Sequence, residues 1–285
     1  MKILYIGSSG SLSLTPLRAL IESEHPVCAF AFDQEPGVLD VIKSGSIQSL
    51  AFENTITFIK FDKNYTNAVS QIQTYQPDII LVSCYARLLP QAILSIAKKG
   101  CFNVHPSLLP AFRGPAPIFW QYQQGITHFG VTLHRISEEF DTGNSVSQMS
   151  VKIEDGFTQN KTTELLAKVA SDLVLNLLDD IKNNRVTEIE QDKTKASYYS
   201  YPDYKDYELS TNWTAKRIYN FIKAYQNEDV YFLCQINKEK IKIINAISFQ
   251  NIPYNEMIGE KVVRYGDNIK FSCQAGYIDC QIKLD

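Results

Sequence analysis

Residues 79–84 read IILVSC, a run in which apolar side chains follow one another without alternation. A strand with one wet face alternates polar and apolar residues. A strand apolar throughout is covered on both faces, as in a parallel sheet flanked by helices. KILYI at 2–6 and VCAFAF at 27–32 have the same character, and ITFIKF at 56–61 is a further β-prone run. Between the first two, Leu17, Leu20 and Ile21 share a helical face over 15–23, and Pro26 ends that helix. The result is strand, helix, strand: one βαβ unit. Val69, Ile72 and Tyr75 mark a helix over 65–75, a further helix is expected over 90–98, and CFNVH at 101–105 is another strand. The fold class expected is α/β, a doubly wound, mostly parallel, Rossmann-like sheet.

The second half reads differently. Leu165, Leu166, Val169, Leu173, Leu177, Leu178 and Ile181 recur at helical spacing over 162–184, with Thr162 or Thr163 as cap, and this helix is expected to pack on the sheet as its last. Residues 184–212 are polar and Tyr-rich and read as a connector, followed by a helix at 214–225. Short strands at 230–236, 240–247, 260–265, 269–273 and 277–284 suggest a small β barrel or sandwich. The division expected is an α/β domain at 1–195 and a small β-rich domain at 196–285, led by the connector and helix.

A formal net charge of -3 and a pI near 5.9 argue against a basic face that grips nucleic acid. The six cysteines form no CxxC pair, which removes zinc-ribbon and thioredoxin readings, and Cys28 and Cys84 are expected as small buried residues. MKILYIGSSG lacks the apolar stretch of a signal peptide, and no segment approaches the ~20 apolar residues of a membrane span. The expectation is a cytoplasmic protein with reduced thiols and no metal. Gly7-Ser8-Ser9-Gly10 is a tight turn and falls short of a dinucleotide fingerprint.

The chemistry concentrates in 101–143. Asn103 and His105 are two apart in a strand, so they share a face, and they stand at the carboxyl end where open α/β sheets bind ligands. Asn103 carries amide donors suited to a developing oxyanion, and His105 can move a proton near neutral pH. Taken singly, His105 is as well explained as a hydrogen-bonded core histidine, and Asp141 in FDTG as a turn former. Arg113 either meets an anionic substrate or caps a loop. Phe119, Trp120 and Tyr122 read as packing, and His128 and His134 as surface or packing residues.

Taken together, NVHPSLLPAFRGPAP at 103–117 and GVTLHRISEEFDTG at 130–143 resemble the folate-dependent formyltransferases, closest to the sugar N-formyltransferases. The resemblance runs from residue 1 to about 225 and fades in the C-terminal strands. It implies that 1–195 is the catalytic domain, with Asn103, His105 and Asp141 as catalytic residues. Asn103 would donate to the formyl oxygen, His105 would take a proton from the attacking amine or steer its delivery to the leaving folate nitrogen, and Asp141 would orient and stabilise His105 and help relay the proton. The donor implied is 10-formyltetrahydrofolate, with its pterin along Ile136, Ser137, Glu138, Glu139 and Phe140. Its benzoyl part would lie near Tyr85, Ala86, Arg87, Leu88 and Leu89. Ser107, Arg113 and Gly114 are the expected acceptor-binding residues.

The family leaves the acceptor open. A methionyl-tRNA enzyme carries a basic, glycine-rich loop after its second strand, whereas here 33–46 reads DQEPGVLDVIKSGS. Pro106 follows the histidine, as in the sugar and purine enzymes. The acceptor expected is therefore a nucleotide-linked amino sugar, with dTDP-4-amino-4,6-dideoxyglucose for O-antigen or lipopolysaccharide synthesis as the specific expectation. The tyrosines of 198–207 and Trp213 either face the nucleotide or pack. Methionyl-tRNA formyltransferase is the alternative, and formyltetrahydrofolate hydrolase a further one. No nucleic acid and no membrane is expected as partner, and exposed strand edges make a homodimer plausible.

Overall fold

The computed structural model describes residues 1–8, 10–23, 25–32, 47–227, 229–252 and 262–283. The segment 33–46, on which the tRNA-loop comparison rests, lies outside them. The first half runs β1 (Ile3–Gly7), α1 (Ser11–Glu22), β2 (Val27–Phe32), α2 (Ile47–Glu53), β3 (Thr57–Lys60), α3 (Ala68–Tyr75), β4 (Ile79–Ser83), α4 (Gln91–Leu94) and β5 (Cys101–His105). After it come α5 (Pro117–Gln123), β6 (His128–Arg135), β7 (Ser145–Lys152), α6 (Gln159–Lys182), α7 (Ala215–Tyr225), β8 (Phe232–Ile236), β9 (Glu239–Gln250), β10 (Val262–Tyr265), β11 (Asn268–Cys273) and β12 (Gly276–Ile282).

Seven strands form one sheet in the order β3-β2-β1-β4-β5-β6-β7. β1 through β5 pair in parallel, and β6 joins β5 antiparallel. The chain builds outward from β1 to β3, then restarts at β4 on the other side of β1. That reversal opens a crevice at the carboxyl ends of the central strands. All five residues of β1 and all five of β4 are buried, as their unbroken apolar runs require. Pro16 inside α1 has no N–H to donate to the Leu12 carbonyl, and the buried Ser83 hydroxyl donates to that oxygen instead (2.8 Å).

Several expectations change in detail. α2 is an additional helix. α4 is one turn, because the chain beyond it relaxes into shorter-range turns such as Ile96 N–H to the Ile93 carbonyl. α6 starts at Gln159, where the Thr158 hydroxyl accepts from Lys161 N (3.3 Å), while the Thr162 hydroxyl pairs with Tyr122. Cys84 is exposed, with φ 56°, because it follows the last residue of β4 and turns the chain out of the sheet.

Two compact units emerge. One takes 1–117, 129–151 and 163–199; the other takes 118–128, 152–162 and 200–285. The second unit thus draws two segments from before residue 195. Its strands form one antiparallel sheet, β10-β11-β12-β9-β8, rather than the expected barrel or sandwich. The reason is α7, which packs on β9 and β12. Its Ile218, Phe221, Ile222 and Tyr225 recur at helical spacing and are buried, so a helix covers the apolar face that a second sheet would otherwise cover.

Candidate active site

β5 ends in the buried His105, with Asn103 two residues earlier on the same face. β6 runs antiparallel alongside, and its register sets His134 opposite Asn103 and Thr132 opposite His105. The Thr132 hydroxyl donates to the Ser107 carbonyl (2.7 Å) and accepts from Leu109 N (3.1 Å), which fixes the loop after β5. Ser107 is itself fully buried, and its hydroxyl donates to the Ala111 carbonyl (2.7 Å). It shapes the loop and offers no surface to an acceptor.

Asp141 reaches the same place from the turn after β6. Its Oδ1 lies 3.4 Å from His105 Nδ1, 3.5 Å from His134 Nε2 and 3.5 Å from Asn103 Nδ2. Its Oδ2 accepts from Gly114 N (2.9 Å). The DTG turn needs its glycine, since a Cβ on Gly143 would sit 2.0 Å from the Arg135 carbonyl oxygen. Gly114 has φ +110°, and a Cβ there would sit 2.1 Å from the Tyr199 carbonyl oxygen. Gly114, expected on the acceptor side, is therefore where the backbone comes close enough to hold the carboxylate.

Hydrogen bonding fixes the tautomers. His105 Nε2 lies 2.8 Å from the Phe112 carbonyl, which can only accept, so Nε2 carries the proton and Nδ1 is the open base facing Asp141. His134 Nδ1 likewise donates to the Arg135 carbonyl (2.7 Å), which leaves Nε2 to accept from Asn103 Nδ2 (3.1 Å). Burial lowers the His105 pKa below 6.5, against the opposing pull of Asp141 and the Phe112 carbonyl, so the ring rests neutral at pH 7. Burial pushes Asp141 upward, but His105, His134 and the Gly114 N–H outweigh it and hold the carboxyl at about 2. A resting anion thus faces a neutral base. A proton taken up at Nδ1 would be stabilised at once by that anion, which is a layout for proton transfer.

His134 was expected as a surface or packing residue, yet it is 2% exposed and belongs to this centre. Arg113 gives Nε and Nη2 to the Gln191 side-chain oxygen (3.2 and 2.7 Å) and lines a cavity of about 440 Å³. Glu139, Phe140, Thr142, Ser197 and Tyr198 share that cavity, so residues expected on the donor side and the acceptor side meet in one space. The two expected donor segments also share one core cluster. Leu89 lies inside it, and Tyr85 and Ile136 both pack on it. Arg87 bonds the Asp62 and Lys63 carbonyls and stacks over Tyr65 at 4.4 Å; Leu88 and Phe140 leave large apolar side chains exposed, and Ala86 and Glu138 are exposed too. The Ser137 hydroxyl pairs with Thr142 (2.9 Å) and braces the 137–142 loop.

The formyl transferase family model matches residues 1–178, more than half of the chain. The chain belongs to the formyl transferase family. Among its relatives there, a methionyl-tRNA formyltransferase of Malacoplasma penetrans is 30% identical over 249 residues, 87% of this chain and 77% of that one. Another, of Syntrophomonas wolfei, is 28% identical over 247 residues, 85% of this chain and 78% of that one. In fold, the chain resembles WlaRD, a sugar 3N-formyl transferase crystallised with dTDP and 5-N-formyl-THF. The TM-score is 0.72 at 21% identity, over 100% of this chain and 98% of that one. The N-formyltransferase of Helicobacter canadensis, in complex with folinic acid and dTDP-3-aminofucose, superposes with TM-score 0.71 at 20% identity, over the whole of both chains. At such identity the likeness is one of fold.

Proposed function

We propose that the chain moves a formyl group from 10-formyltetrahydrofolate to the amine of a nucleotide-linked amino sugar. The observation that carries the acceptor is the cavity of about 440 Å³ beside the centre. It lies in the size range of small-molecule sites. Its wall residues Arg113 and Thr142 are the chain neighbours of Gly114 and Asp141. Arg113 forms no ion pair among the described residues, so its charge is available to a phosphate, and Tyr198 supplies aromatic surface to a base or sugar. The full-length likeness in fold to two enzymes crystallised with dTDP or a dTDP-sugar supports the same reading.

The folate, when bound, supplies an activated N-formyl group. The segments around Tyr85 and Ile136 fit a flat, partly apolar ligand, with Leu88 and Phe140 as exposed apolar contacts. As the amine nitrogen bonds to the formyl carbon, His105 Nδ1 takes its proton and Asp141 stabilises the imidazolium; that proton then passes to the folate nitrogen as its bond to the formyl carbon breaks, which returns His105 to the neutral state. Asn103 meets Asp141 only through a 3.5 Å contact, so that N–H is available to a formyl oxygen placed in the amide plane as charge develops there. His134 holds the other N–H and fixes the amide plane.

The specific acceptor proposed is dTDP-4-amino-4,6-dideoxyglucose, which places the product in O-antigen or lipopolysaccharide synthesis and the enzyme in the cytoplasm. No described helix is long and apolar enough to cross a membrane. A homodimer through the C-terminal sheet is proposed from β10, the strand at its edge among the described residues; the other edge, β8, is partly covered by Leu209. One observation favours a second reading: relatives of 28–30% identity are methionyl-tRNA formyltransferases. The deciding experiment incubates the protein and donor with a panel of amino-sugar nucleotides and charged initiator tRNA, read by mass spectrometry. Formylated sugar is the expected product. Formylated methionyl-tRNA with untouched sugars transfers the chain to the second reading.

A further inference from the structure

Gln191 lies in the polar stretch between α6 and α7, where nothing in the sequence marks it, yet it is 6% exposed and its amide is fully used. Its Nε2 donates to the Asp141 carbonyl (2.9 Å) and to the Gly143 carbonyl (2.6 Å). Its Oε1 accepts from Arg113 Nε and Nη2. The amide cannot be reversed, because carbonyls only accept and a guanidinium only donates. Asp141 is held at φ 56°, a backbone region that non-glycine residues rarely occupy, so its turn needs an external restraint. Gly114, the residue after Arg113, holds the carboxylate of that same turn. Residues 113–114 therefore reach Asp141 twice: directly through a backbone N–H, and through Gln191.

We propose that Gln191 is a positioning residue that ties the cationic wall of the cavity, Arg113, to the Asp141 turn, so that an anionic acceptor engaging Arg113 acts on the geometry of the proton-transfer pair. The acceptor half of this statement rests on the sugar-nucleotide reading; the restraint on Asp141 does not.

The groups that act on His105 are Asp141, the Phe112 carbonyl, His134 and Arg113, and of these only Asp141 is an anion. Gln191→Leu frees the turn without adding charge. The expected result is a fall in the His105 pKa, read from imidazole nitrogen shifts in the labelled protein without substrate. A kcat loss of about 10²-fold is expected from a misplaced carboxylate. Gln191→Glu is the second variant, useful if the first does not fold. It keeps an oxygen for Arg113 but pairs that charge and sets a carboxylate against two carbonyls, so kcat falls and the acceptor KM rises with it. Arg113→Leu separates the two effects, with KM rising more than kcat falls. Folded Gln191 variants with wild-type His105 titration and wild-type kcat overturn the proposal. Because the titration is read without acceptor, a wrong sugar assignment is recognised separately, by a wild-type protein that formylates no amino sugar while its His105 still responds to Gln191→Leu.

Discussion

The polar centre at the end of β5 and the aromatic cluster around Phe221 are both shielded from water, yet different forces hold them. Around Asp141, nearly every polar atom has a named partner, two glycines admit close backbone approaches, and one backbone conformation is left-handed. Around Phe221, rings of Phe119, Tyr207, Trp213, Tyr225 and Phe232 meet at centroid distances of 5.4–6.2 Å. The first arrangement is specific and tolerates little change in chemistry. The second is apolar burial with favourable edge-to-face geometry and depends on volume. The contrast predicts that substitutions separate cleanly into those that remove activity and those that remove stability.

The largest effect is expected at the polar centre. His105→Ala should lower kcat by about 10²–10⁴-fold, the range for a lost general base, while thermal unfolding stays near wild type. A folded His105→Ala protein with near-normal turnover would end the mechanism. Phe221→Ala should act in reverse, lowering stability by about 3–5 kcal/mol through a cavity in a core that the ring fills completely. Denaturant unfolding measures it, and a loss below about 1 kcal/mol would mean the cluster relaxes around the gap. At a temperature where the variant remains folded, its kcat should stay close to wild type.

Acidification sharpens the comparison further. Asp141 has its folded pKa depressed from 3.8 to about 2, so its contribution is present above 3.8 and is lost as the pH falls toward 2. That contribution is about 2 kcal/mol. His105, buried neutral with its pKa below 6.5, works in the same direction, because below 6.5 the unfolded chain takes up a proton that the folded one refuses. Activity should fall on the acid side as Nδ1 becomes occupied. Asp141→Asn should flatten the decline in stability between pH 4 and 2, seen as a Tm that varies less with pH there than wild type.

The sheet was legible because its information is local. Unbroken apolar runs such as IILVS need no knowledge of partners, and the two-residue spacing of Asn103 and His105 fixes their common face. The rest of the site depends on which segments meet. His134 shares a face with Thr132 at strand spacing, but only the antiparallel register with β5 sets it opposite Asn103. Gln191 carries no local signal, since one glutamine in a polar stretch becomes important only through two carbonyls and a guanidinium from distant segments. The bond from Gly114 N–H to the Asp141 carboxylate likewise carries no local signal, because it joins residues 27 apart in the chain. Strand count alone suggests a barrel or sandwich at the β-rich end, because it does not show what else can cover the sheet; α7 does so.

The smallest prediction is also the one that most directly opposes the two regions. The Tyr225 hydroxyl is buried in the aromatic cluster and has no hydrogen-bond partner among the described residues, and burial raises its pKa well above 10. A buried donor left unpaired loses its hydration without compensation, so removing it costs nothing and relieves that loss. Tyr225→Phe should therefore raise stability by about 1 kcal/mol, with ring packing against Phe119 and Phe221 intact. In the polar centre the comparable deletion, Asp141→Asn, leaves the geometry in place but removes the anion that His105 needs, and activity falls. Denaturant melts of Tyr225→Phe decide the point. A loss of stability instead would show that the hydroxyl has an ordered water as partner, and that the aromatic cluster is less purely apolar than its rings suggest.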